Sequence, residues 1–159
     1  VWSAWLRMSN ADPGWPRPTD VDQWLCDFPG RVFPIAHLML PMAERTAILE
    51  RVLEAARSLD RAAEGLILNY LGQAYAAQGE SERALEVYDA CLKIAYDLHD
   101  RPGEANALLN IGIVCGALGN IKRVRESWRH ALALFKMIGD PRAAQVRAWL
   151  ETLESKLAQ

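Results

Sequence analysis

Apolar positions from residue 41 onward recur at the three-and-four spacing of a helix with one buried face. Ala47, Ile48, Val52, Ala55, Ala56 and Leu59 fall on a single stripe. Pro41 suits a first helical turn, where its missing N–H would be unbonded in any case. The same spacing predicts five further helices, over about 61–78, 81–98, 101–118, 121–138 and 141–158. The breaks are Asp60-Arg61, Gly79-Glu80-Ser81, His99-Asp100-Arg101, Gly119-Asn120 and Gly139-Asp140-Pro141. Gly79, Gly119 and Gly139 stand where a helix closes in the left-handed conformation. No strand-like alternation is present, so the chain reads as all-α. Its short connections make successive helices antiparallel neighbours.

Residues 1–40 read differently. Trp2, Trp5 and Leu6 would share one side of a short helix over 1–10. Residues 11–19, ADPGWPRPT, hold three prolines and a glycine and cannot be helical throughout. Thr19 with Asp22 is a weak capping signal for a short helix to about Phe28, which Pro29-Gly30 ends. The expectation is an irregular, Trp- and Pro-rich helical cap covering the open end of the helices beyond residue 41.

Those helices contain one unit written twice, 40 residues apart. The first copy runs Leu68-x-x-Leu71-Gly72-x-x-Tyr75, then Gly79, Ala84, Tyr88 and Leu92. The second runs Leu108-x-x-Ile111-Gly112-x-x-Cys115, then Gly119, Val124, Trp128 and Leu132. A repeat of this length signals a stacked array and shifts the functional prior from catalysis to recognition. Gly72 and Gly112 fall mid-helix, where glycine costs about 1 kcal/mol relative to alanine. Close approach of two helices offsets that cost. The expected partner is the small Ala84 or Val124, with Tyr88 or Trp128 filling the flank.

These residues resemble the tetratricopeptide repeat, whose pattern runs Trp-x-x-Leu-Gly-x-x-Tyr, then Ala, an aromatic and Pro. Leu68 and Leu108 stand in for the Trp, and the closing Pro is absent. The 40-residue period is similar to the longer-helix subclass found in kinesin light chains, Leu-Gly-Asn-rich polarity adaptors and many bacterial regulators. The resemblance covers 61–139. It implies a right-handed superhelix of antiparallel helix pairs, divided into a degenerate half-repeat at 41–60, repeats at 61–100 and 101–140, and a capping helix at 141–159. The run Leu40-Pro41-Met42-Ala43-Glu44-Arg45 and its continuation also look like the lead-in to the repeat array of bacterial NB-ARC-type signalling ATPases. That likeness implies a ligand-sensing arm of a larger protein. No G-x-x-x-x-G-K-[ST] phosphate loop is present.

In the tetratricopeptide family first helices line a concave groove, and the resemblance places Leu66, Asn69, Gln73, Asn106, Leu109, Asn110 and Ile113 on it. An asparagine amide both donates and accepts, so Asn69, Asn106 and Asn110 could hold the backbone of an extended peptide. Asn110 matches a peptide-gripping asparagine of the family. None of these positions is basic, which weighs against the family's carboxylate clamp.

Composition narrows the remaining classes. The chain has 159 residues, 51% hydrophobic, with net charge −2, enough for a sizeable core and without the basic field that nucleic acid needs. Lys122, Arg123, Arg125, Arg129 and His130 make one helix basic, and its bland reading is a solvated back face. Cys26, Cys91 and Cys115 lack metal-ligand spacing, and the last two fall at apolar repeat positions. A reducing, cytoplasmic setting fits that usage. His37, His99 and His130 have no partner that suggests a nucleophile–base pair. No cofactor, metal or catalytic set is legible. No apolar run is long enough to cross a bilayer. The start at Val1 suggests a fragment of a longer protein. The reading is a non-enzymatic module that binds a protein or peptide in its concave groove, with self-association through open ends as a further expectation.

Overall fold

The computed structural model describes residues 42–158, so the Trp- and Pro-rich cap expected over 1–40 lies outside the described residues. Among the described residues six helices succeed one another: α1 Met42–Leu59, α2 Arg61–Ala77, α3 Ser81–Asp97, α4 Arg101–Ala117, α5 Ile121–Met137 and α6 Arg142–Leu157. No strand occurs among the described residues. Each helix packs on the next in sequence, and α2 also touches α4. That is a solenoid of paired helices, α2 with α3 and α4 with α5, and α6 stands in the place of a further first helix. The predicted boundaries fall within about one residue of those observed.

Side chains at the helix starts explain why the breaks fall where they do. Asp60, Asp100 and Asn120 each accept a hydrogen bond from a backbone N–H of the first turn, at 2.9, 3.1 and 3.2 Å. The helix ends are more regular still. Gly79, His99, Gly119 and Gly139 recur every 20 residues, all with positive φ: 80°, 56°, 72° and 71°. After each, the next residue's N–H reaches back five residues, from Glu80 to Tyr75, Asp100 to Ala95, Asn120 to Cys115 and Asp140 to Phe135. This satisfies carbonyls that the helix end leaves open. His99 is the single non-glycine in that series.

The mid-helix glycines are close contacts, but not small against small. A Cβ built on Gly72 would lie 2.5 Å from Cε1 of Tyr88, and one on Gly112 would collide with the indole of Trp128. The aromatic ring itself lies over the glycine, where the sequence pattern pointed to Ala84 or Val124. The reason is length: a ring one turn farther along reaches across the helix crossing, whereas a methyl does not. Tyr88 is buried. Burying a large side chain stabilises by about 1.5–3 kcal/mol, which outweighs the roughly 1 kcal/mol cost of a helical glycine.

The interior forms two clusters. The larger runs from Ile48 and Leu49 in α1 to Val124 in α5. The smaller joins α4, α5 and α6 through Ala105, Ala131, Leu134, Phe135, Val146 and Leu150. Trp128 packs against both, donates its indole N–H to the Leu109 carbonyl at 3.2 Å, and sits 5.3 Å from Trp149. Trp149 thus helps dock α6. Cys91 and Cys115 are free and buried.

Candidate functional site

Two successive first helices are joined by the residues singled out in the sequence. Asn69 in α2 accepts a hydrogen bond from Nδ2 of Asn110 in α4, at 3.0 Å. An amide carries two N–H donors and an acceptor oxygen, so the pair retains free capacity on both residues. Exposed apolar side chains lie on the same two helices, Leu66 at 39% and Ile113 at 47% exposure, which makes the surface mixed rather than purely polar. Gln73 is half-buried on α2. Leu109 is half-buried too, and packs against the smaller core cluster.

Asn106 is engaged differently. Its Oδ1 accepts from Nη1 of Arg142, at the start of α6. Arg142 is a cation on this face that the sequence reading missed. Its other nitrogens bind Asp140, at 3.0 Å through Nε and 2.7 Å through Nη2, and its guanidinium lies 4.5 Å over the Phe135 ring. The Arg142 guanidinium holds the Asp140 carboxyl below its ordinary pKa. With its charge matched by Asp140, Arg142 does not restore a carboxylate clamp.

Between α2 and α4, with α3 beneath, lies a cavity of about 180 Å³. Cys91, Ile94 and Ala95 form its buried floor, and Leu66, Asn69 and Asn106 stand on its walls. The Cys91 thiol donates to the Gly65 carbonyl at 3.2 Å, and burial pushes its pKa up to about 11. It is a neutral floor group, not a nucleophile. No signal in the periodic pattern announces this cavity. It arises where the first repeat departs from the second.

The charged groups elsewhere tie repeats together. Arg83 in α3 bonds Glu80, reaches Glu50 in α1 at 3.3 Å and stacks 4.1 Å over the Tyr75 ring. Forty residues on, Arg123 in α5 binds both carboxylate oxygens of Asp89 in α3. Arg129 binds Glu154 in α6 at 2.6 Å. The basic run on α5 is therefore partly neutralised. Glu64 and Glu104 are buried beside Arg61 and Arg101, at 3.2 and 2.7 Å, a pair the sequence echoes but periodicity of apolar residues does not reveal. Among the described residues no group of three His, Cys, Asp or Glu could hold a metal ion, and no helix is long and apolar enough to cross a membrane.

Comparison with known proteins bears on the fold. Residues 64–137 match the family model described as tetratricopeptide repeat. Among solved structures the chain is similar to BtubC (BKLC) from P. vanneervenii, with a TM-score of 0.67 and 20% sequence identity. The alignment covers 85% of this chain and 54% of that one, so the chain spans about half the length of that protein. At such identity the likeness is one of fold alone. No curated protein matches the sequence. Residues 64–137 thus match the tetratricopeptide repeat and lie in an all-α solenoid of paired helices.

Proposed function

We propose that the chain is a non-enzymatic module that binds an extended segment of a partner protein along its first-helix, concave face, in the cytoplasm. The observation that carries this reading is the Asn69–Asn110 hydrogen bond, which spans two successive first helices beside exposed Leu66 and Ile113. Each amide has unspent donors or acceptors that an extended backbone can meet without any side chain being read. The apolar neighbours supply area, and the helix pairs are held by packed cores, so little rearrangement opposes binding. Tetratricopeptide repeats generally mediate protein–protein interaction, which agrees with this assignment.

The test is a display library of random peptides selected on the wild-type chain, with recovered peptides titrated against wild type and Asn110→Ala. Loss of one hydrogen-bonding amide should weaken binding about three- to tenfold. Thermal melts of both proteins control for the lost Asn69 contact. Unchanged affinity would remove Asn110 from the site.

A further inference from the structure

The first repeat holds an open cavity where the second holds solid core. Shifting the wall residues by 40 positions gives their counterparts. Gly65 becomes Ala105, Cys91 becomes Ala131, and Ile94 becomes Leu134. Ala95 becomes Phe135, Gly103 becomes Ala143, and Asn106 becomes Val146. All of these counterparts belong to the smaller core cluster or pack against it. The same framework therefore encloses about 180 Å³ of free space in one repeat and is filled with side chains in the next. The largest single difference is a ring: Phe135 is fully buried, and alanine stands at its place in the first repeat.

The rim differs in the same sense. In the second repeat Asp140 holds Arg142 over the Phe135 ring. In the first, the position of Arg142 is taken by Pro102. The Asp100 carboxylate lines the cavity and accepts from the Gly103 N–H at 3.1 Å. Among the described residues it has no ion pair. Ring and cation are both missing, and the framework that holds them is kept.

We propose that this cavity takes, from the extended partner segment, an aromatic side chain with an arginine beside it. The ring occupies the space that Phe135 fills one repeat later, and the arginine takes the place of Arg142 against Asp100. Asn69 and Asn106, on the walls, meet the segment's backbone. The Asp100 carboxylate repels an acidic residue at that place. The floor of Cys91, Ile94 and Ala95 offers no unspent polar partner, since the Cys91 thiol is bonded to Gly65. This inference rests on the groove-binding reading and narrows it to a sequence preference.

The experiment uses the peptides recovered by selection on the wild-type chain, titrated by fluorescence anisotropy. Those peptides should be enriched in an aromatic residue adjacent to arginine. Ala95→Phe copies the second repeat and fills the cavity, and should weaken them about tenfold or more. Gly65→Ala, copying Ala105, narrows the same space and covers the case in which Ala95→Phe misfolds, with circular dichroism as the check. Asp100→Asn keeps the cap on Gly103 and should abolish the advantage of an arginine peptide over its glutamine version. Peptides that lose affinity with Asn110→Ala yet bind both filled variants as tightly as wild type would overturn the cavity proposal and leave the groove reading standing. Failure to recover any binding peptide would overturn both.

Discussion

Gly112 has no side chain because the Trp128 indole occupies the space one would need, and Gly72 stands in the same relation to Tyr88. Alanine at either site gains roughly 1 kcal/mol of helix propensity and loses about 1–3 kcal/mol to overpacking. Overpacking wins here, because Tyr88 is buried and Trp128 is tethered to Leu109 and lies tilted against Trp149. Gly72→Ala and Gly112→Ala should each lower stability, by up to about 2 kcal/mol, in urea titrations. A gain would show that the rings can move aside. Tyr75 makes a second residue-scale prediction. Burial first, then its hydrogen bond to Glu50, push its hydroxyl up to about 12. The unfolded state ionises near 10, so between about pH 10 and pH 12 it loses a proton that the native state keeps, and stability falls as pH rises. Tyr75→Phe should flatten that fall in denaturation midpoints taken across the range. Tyr70 and Tyr88 are shifted in the same direction, so part of the slope remains. The glycines were legible as close contacts. Their partners were not, because spacing reports which positions recur and not how far a side chain reaches.

Helices α2 to α5 end by the same device, and one copy is imperfect. His99 adopts the left-handed conformation that glycine adopts at 79, 119 and 139. For a residue with a Cβ that conformation costs about 1–2 kcal/mol, while glycine loses about 0.4–1 kcal/mol more entropy on folding. His99→Gly should therefore stabilise the chain by a few tenths to about 1 kcal/mol. Gly119→Ala should destabilise it by about 1 kcal/mol through the backbone alone, since nothing lies within 4 Å of the added methyl. Equal and opposite shifts in chemical denaturation would place the effect at the turn. A neutral His99→Gly would mean that the imidazole makes a compensating contact. Helix lengths and breaks were readable from the chain because caps are local: Asp60, Asp100 and Asn120 act on backbone within their own first turns.

Across the whole molecule, order comes from neighbours. Helices touch those next in sequence, the cores overlap at Trp128, and ion pairs such as Arg83–Glu50 and Arg123–Asp89 fasten second helices one repeat apart. Such exposed pairs contribute about 0–1 kcal/mol each and hold register more than they hold the fold. The solenoid was legible because it is what the two copies share. The cavity was not, because it lies in what they do not share: Ala95 against Phe135, Pro102 against Arg142. Arg142 escaped notice for the same reason, since its contact with Asn106 joins helices that are not paired with each other. The proposed preference for an aromatic residue beside arginine rests on those departures from the repeat.

The even spacing of the four left-handed turns has a consequence for how the chain can change length. A helix advances about 100° per residue, so deleting one residue inside any helix would swing everything beyond it through that angle. A deletion between Gly112 and Trp128 would take the glycine from under the indole, and one between Asn69 and Asn110 would rotate the asparagines off their common face. Whole blocks of 40 can be gained or lost with every angle preserved. The array is thus a clockwork that accepts complete revolutions and jams on a single tooth.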